Sequence, residues 1–125
     1  MVKSIVSILI SACILLFGVV FENKYINQTF FDMHTAFCTV KVKIDDNTAK
    51  EDDVIAVQKL WLNKKKFLHA FIPHTEIKEV DLWLAETITL VRDKEWQDAV
   101  SKIEVLIELT EQVPETFKFS LGNLL

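Results

Sequence analysis

Eighteen consecutive residues, Ser4 to Phe21, carry no charge. At a rise of about 1.5 Å per residue they form a helix of roughly 27 Å, close to the roughly 30 Å hydrocarbon core of a bilayer. Only Met1, Val2 and Lys3 precede the run, and Glu22, Asn23 and Lys24 follow it at once. A segment of that length and composition constrains the whole chain, because one end has to leave water.

Three fates are open to such a segment: a retained signal anchor, a cleaved secretory signal, and a lipoprotein signal. A cleavable signal ends its apolar stretch on a small-x-small site, whereas this run ends Leu16-Phe17-Gly18-Val19-Val20-Phe21. Ile10-Ser11-Ala12-Cys13 has the form of a lipobox, at which Cys13 would be lipidated. Eight more mostly apolar residues follow Cys13, where a lipoprotein turns polar. The retained anchor is the reading the residues favour. Lys3 and the amino terminus resist crossing the membrane, while Glu22 and Lys24 cancel, so the terminus is expected inside the cell membrane and the rest outside.

Residues 22–125 hold 13 of the 14 basic residues and all 18 acidic ones, a net charge of −5. A nucleic-acid partner would call for a basic patch, which is not what this balance provides. About a hundred residues suit one small domain with its own core. Two glycines and two prolines in 125 residues leave little room for a turn-rich β architecture or a long flexible linker, and the chain reads as all-α. Cys13 lies within the apolar run and Cys38 stands alone beyond it, so no internal disulfide braces the domain.

Beyond the run, Ile26, Phe30, Met33, Phe37, Val40 and Ile44 recur at alternating steps of four and three, one helical stripe of heptad type. No proline or glycine separates Val19 from Ile44. The membrane helix is therefore expected to run into this stripe, with a break near Asn23 or Asn27 as the alternative. Asp45-Asp46-Asn47 interrupts the pattern, and Thr48-x-x-Glu51 has the form of a capping box opening a second helix. That helix presents Val54, Val57, Trp61, Leu68 and Phe71 and is expected to stop at Pro73. A third begins at His74 or Thr75, with Ile77, Val80, Leu84, Ile88 and Val91 on one side. Asp93 can cap a fourth, faced by Trp96, Ala99, Val100, Ile103, Leu106, Ile107 and Val113 and ending at Pro114. The tail, apolar at Phe117, Phe119, Leu121, Leu124 and Leu125, is expected to pack back on the bundle.

These elements predict a membrane anchor over residues 1–24 and an antiparallel bundle of about four helices over residues 25–125, with Trp61, Trp83, Trp96 and the phenylalanines as core bulk. A weak echo, Val54 and Trp96 each leading to a proline (Pro73 and Pro114), leaves a tetratricopeptide-like hairpin scaffold as a second architecture.

The segment Phe71-Ile72-Pro73-His74-Thr75-Glu76-Ile77, with Trp61 and Phe67 before it, and the ending Ser120-Leu121-Gly122-Asn123-Leu124-Leu125 resemble a family of small bacterial proteins, common in Firmicutes, catalogued as domain of unknown function 4363. The resemblance covers the whole chain. It implies a short basic start, one membrane run and about a hundred helical residues, and it implies no activity, substrate or cofactor. Pro73 stands where the family pattern has an Asp, which removes that acid as a cap or ligand.

Among groups that could carry chemistry, His74 and Glu76 are the foremost, since His titrates near neutral pH and a carboxylate can orient it. Two positions apart on a helix, they point to different faces. As structural residues, His74 would cap the third helix and Glu76 would favour its positive end. His69 and His74 lie five apart across a proline and His34 is distant, whereas zinc-binding helices present His at i and i+4. Lys59, Lys64, Lys65 and Lys66, flanked by Trp61 and Phe67, could rest on anionic headgroups at about 1 kcal/mol per Lys, or form a solvated face whose stems cover apolar surface. Glu51, Asp52, Asp53, Asp45 and Asp46 lack the glycine and bidentate Glu of a calcium loop. No phosphate-binding or nucleophile-elbow glycine pattern is present.

No catalytic, cofactor or metal residue is thus assigned, and no cofactor is called for. The expected role is a membrane-tethered extracytoplasmic module that binds a membrane protein or itself, with residues 4–21 in lipid. The alternatives are a small hydrolase or metal-dependent enzyme using His74 and Glu76, which needs those groups within hydrogen-bond reach, and a hydrophobic-ligand carrier, which needs an apolar cavity of at least about 300 Å³.

Overall fold

A computed structural model describes residues 1–69 and 72–124, with residues 116–124 described through their backbone only. Four helices follow one another: α1 (Val2–Asp45), α2 (Glu51–Leu68), α3 (His74–Arg92) and α4 (Trp96–Leu124). Among the described residues there is no strand.

The apolar run and the heptad stripe are one element. α1 continues for 44 residues, about 66 Å at the standard rise, and passes residues 23 to 27 without a break. Asn27 Nδ2 donates to Asn23 Oδ1 across one turn there (3.3 Å). Its buried residues all lie in the second half: Ile26, Thr29, Phe30, Met33, Phe37, Val40 and Ile44. None of residues 1–25 is buried. The most apolar stretch of α1, with a mean hydropathy of 2.7, is long and apolar enough to cross a membrane.

The remaining helices close a ring on the second half of α1. α1 packs on α4 and α2, and α3 packs on α2 and α4. Cross-helix pairs give the directions. Lys43 meets Asp53 at one end of α1/α2 and Tyr25 meets Phe67 at the other. On α1/α4, Lys41 meets Glu104 and His34 meets Glu111. Neighbours are therefore antiparallel, in the up-down-up-down order that short loops enforce. A closed ring excludes the hairpin scaffold, and α2 and α4 cover the stripe of residues 26–44.

Each helix contributes the apolar face its periodicity predicts, with corrections at the edges. Val54, Val57, Trp61 and Leu68 of α2, Ile77, Val80, Leu84 and Val91 of α3, and Ala99, Ile103, Leu106 and Val113 of α4 are buried. Phe71 lies outside the described residues. Trp61, Phe30 and Phe37 are core bulk, but Trp83 and Trp96 sit half-buried at the rim. Lys102 Nζ stands 4.3 Å over the Trp83 ring. Thr87, fully buried on the α3 face, was hidden from hydropathy because its hydroxyl is satisfied by the Trp83 carbonyl (2.7 Å).

The helix ends differ most from expectation. α1 ends in a Schellman motif: Asn47 N–H closes on the Ile44 carbonyl (3.0 Å) and Thr48 N–H on that of Lys43 (2.9 Å). Ala49 N–H also reaches the Lys43 carbonyl (3.1 Å). That commits Thr48 to ending α1, so it cannot cap α2. The N-cap is Lys50, whose N–H is held by Asp53 Oδ2 (2.9 Å). α3 ends the same way, with Lys94 N–H on the Val91 carbonyl (3.1 Å) and Glu95 N–H on that of Leu90 (2.9 Å). Asp93 is thus the C-cap of α3 and not the start of α4. His74 is the first residue of α3 behind Pro73 as N-cap, and its side chain caps nothing.

Pro114 does not end α4; the helix passes through it to Leu124. Proline removes one backbone donor and crowds the carbonyl four residues back, but buried Val113 and Thr110 hold that turn against the bundle. The expected packing of the tail's apolar side chains lies outside the described residues.

Both Schellman motifs place a non-glycine residue in the left-handed region, Asn47 at φ 57° and Lys94 at φ 59°. Asn tolerates that region and Lys does not share its advantage. Lys94→Gly is accordingly expected to stabilise the bundle by about 0.5–1 kcal/mol, seen as a higher urea midpoint, with a smaller gain for Asn47→Gly.

Candidate functional site

The antiparallel register gathers the chain's most distinctive groups at the end of the bundle nearest the apolar run. Tyr25 and Phe67 form an edge-to-face pair with ring centroids 6.1 Å apart. There α2 ends at Leu68 and α3 begins at His74. On α4, the pairs Lys41/Glu104 and His34/Glu111 show the helix running toward this end. Phe21, Glu22, Tyr25 and Phe67 line an apolar depression of about 260 Å³.

His69 and His74 meet at this corner, ring centroids 5.3 Å apart and tilted by 37°. Both are exposed. Glu76 turns the other way, lining a narrow internal gap with Phe30, Trp61, Ile72, Ile77, Val80 and Val113. Among the described residues no hydrogen bond joins His74 to Glu76, so the structure does not assemble the acid–base pair that a hydrolase would need. No group of three His, Cys, Asp or Glu suited to a metal occurs among the described residues. The internal gap does not admit a water molecule, so it is not the apolar cavity that a hydrophobic-ligand carrier requires.

The basic cluster is divided by its partners. Lys64 Nζ donates to Asp32 Oδ2 on α1 (3.0 Å) and Lys65 Nζ to Asp81 Oδ2 on α3 (3.0 Å). Trp61 Nε1 donates to the other oxygen of Asp81 (2.7 Å). Lys59 and Lys66 stay exposed. Two of the four lysines therefore brace α2 against its neighbours, each such pair contributing about 0.2–1 kcal/mol at partly exposed positions.

These contacts set the titration of the acids. The hydrogen bond from Lys64, aided by Gln28 and opposed by burial, holds Asp32 below its ordinary value. The Lys50 N–H, then Lys43, does the same for Asp53. Both favour the ionised form in the fold, so their contribution is present above the ordinary carboxylate range and lost as pH falls through their depressed values. Glu76 is opposite: burial first, and Glu79 second, raise it. Its protonated form is favoured in the fold, so its contribution is complete below the ordinary value and lost as pH rises through the raised one. Glu76→Gln should therefore raise the melting temperature at about pH 7 and leave it unchanged at about pH 4, with a thermal melt at each pH as the check.

One arrangement escaped the sequence. Cys38 Sγ lies 3.8 Å from His34 Nδ1, and His34 Nε2 donates to Glu111 Oε1 on α4 (3.1 Å). The i, i+4 spacing of His34 and Cys38 is readable; the α4 partner, 77 residues away, is not. A thiol, an imidazole and a carboxylate in line have the order of a nucleophilic triad. Here all three sit in mid-helix, where the backbone N–H groups are engaged within the helices and cannot form an oxyanion hole. The chain serves as a polar strap between α1 and α4.

No curated protein and no solved structure matches this chain. The profile of the family described as "Domain of unknown function (DUF4363)" matches residues 20–124, from the last turn of the apolar run to the end of α4. The chain belongs to that family.

Proposed function

We propose that this chain is a membrane-tethered helical module, its anchor retained, its amino terminus cytoplasmic and its bundle on the outer face of the cell membrane, where it binds a membrane protein. The observation that carries this reading is α1 itself: the unburied apolar half and the core-forming half are one helix with no linker. A cleavable leader would be followed by a separable domain, whereas here the first core residue, Ile26, comes just over one turn after Phe21. A bundle so joined is held at fixed height and orientation over the bilayer, which suits a part that meets a neighbour in the same membrane. Exposed Phe31 and Val42 on α1 and Leu82 on α3 are apolar positions available to such a neighbour.

Carbonate extraction of native membranes should leave the intact chain in the pellet, and Thr39→Cys in a Cys38→Ser background should react with a membrane-impermeant maleimide in whole cells. A soluble chain beginning after Phe21, or a thiol at position 39 shielded until lysis, would overturn the anchor or its orientation. A photo-crosslinker at Phe31 should give one discrete adduct in native membranes; the absence of any adduct at Phe31, Val42 and Leu82 would count against the partner.

A further inference from the structure

We propose that the α2–α3 corner of the bundle, led by Phe67 and Lys66, rests in the phospholipid headgroup layer of the bilayer that α1 crosses. This rests on the membrane-tethered reading above. Phe21 closes the uncharged run, and Tyr25 stands four residues further, about 6 Å along the axis. The headgroup layer on each side of a bilayer is roughly 5–8 Å thick. Tyr25 therefore falls at headgroup depth, and its edge-to-face contact with Phe67 at 6.1 Å brings the end of α2 to the same depth.

The side chains there match that environment. Phe67 is 65% exposed and Phe21 63% exposed, a poor arrangement in water and one suited to the headgroup/acyl boundary, where interfacial segments bury Phe. The depression between them is lined by Phe21, Tyr25 and Phe67 together with Glu22 and opens where glycerol and the first acyl carbons would lie. Lys66, next to Phe67 on α2, and Lys24, next to Tyr25 on α1, are both exposed; their stems can lie on apolar surface while the ammonium groups meet phosphates. Glu22, half-buried in the depression, is the acid that opposes them there. Lys64 and Lys65 are already held by Asp32 and Asp81. The lipid contact thus falls to Lys66 and not to the whole basic cluster.

The test uses the full chain in nanodiscs of phosphatidylcholine and phosphatidylglycerol, with Cys13→Ser and Cys38→Ser as background. A nitroxide is placed in turn through Leu9→Cys, Phe67→Cys, Lys66→Cys and Val42→Cys, and collision with oxygen is compared with collision with a soluble nickel chelate. Positions 67 and 66 are expected to show several-fold fewer nickel collisions than position 42, with position 9 fully lipid-exposed. If 67 and 66 match 42 while 9 stays in lipid, the corner stands off the membrane and the proposal fails with the tether intact. If position 9 is itself open to nickel, the tether reading fails and the proposal with it.

Discussion

Truncating Trp61 to alanine is expected to cost the bundle about 3–5 kcal/mol, the range for removing a large aromatic from a filled core. Trp61 is 1% exposed, tilts against Phe30 at 6.3 Å, and lines a gap already too small for water. It also joins three helices, since its indole N–H reaches Asp81 Oδ1 (2.7 Å) on α3 while Phe30 is on α1. Phenylalanine separates the two contributions: Trp61→Phe keeps most of the volume, loses the hydrogen bond to a charged acceptor, and should cost about 1–3 kcal/mol. Asp81 retains Lys65, so the polar loss is the smaller one. Urea unfolding of the full chain in mild detergent, followed by far-ultraviolet circular dichroism, measures both. Trp61→Ala within about 1 kcal/mol of the parent would show that this position is not central to the core.

The second large effect concerns the junction of the apolar run and the bundle. Asn23→Pro removes the backbone bond from position 23 to the Val19 carbonyl and crowds that carbonyl, at about 3 kcal/mol or more if α1 stays straight. It also disturbs the Asn23–Asn27 contact. The chain can avoid that cost by bending, because the core begins at Ile26 and survives a kink before it. The expected result is a bundle that unfolds at nearly the parental urea concentration but no longer stands at a fixed angle to the span. Val2→Pro is the control, since the first position of a helix accepts proline at little cost.

What could be read from residues alone follows the range of the physics involved. Hydrophobic period and helix length are local, and they predict the stripe from Ile26 to Ile44, a start of α3 at His74 or Thr75 and a bundle of about four helices. Helix ends depend on which of several polar residues captures a given amide. Thr48 resembled an N-cap, yet it was drawn into ending α1, and Asp93 likewise closed α3. Pro114 is a breaker by local rule, overridden by the burial of Val113 and Thr110 beside it. Contacts between distant helices were not readable at all. The partners that hold Lys64 and Lys65, and the Glu111 that holds His34, depend on register between elements and on no pattern within one. The pairing of His74 with Glu76 failed for a local reason that was readable, since positions two apart on a helix face different ways.

The apolar run and the bundle share α1 as one continuous helix, and everything proposed for the height and orientation of the bundle depends on that continuity. Spin labels at Leu9→Cys and Thr39→Cys, both exposed sites, in the Cys13→Ser, Cys38→Ser chain reconstituted in bilayers, measure it by pulsed dipolar spectroscopy. Thirty residues at about 1.5 Å each predict a narrow distribution centred near about 45 Å, with Asn23→Pro shortening and broadening it. A parental distribution already as short and broad as that of Asn23→Pro would contradict a continuous α1.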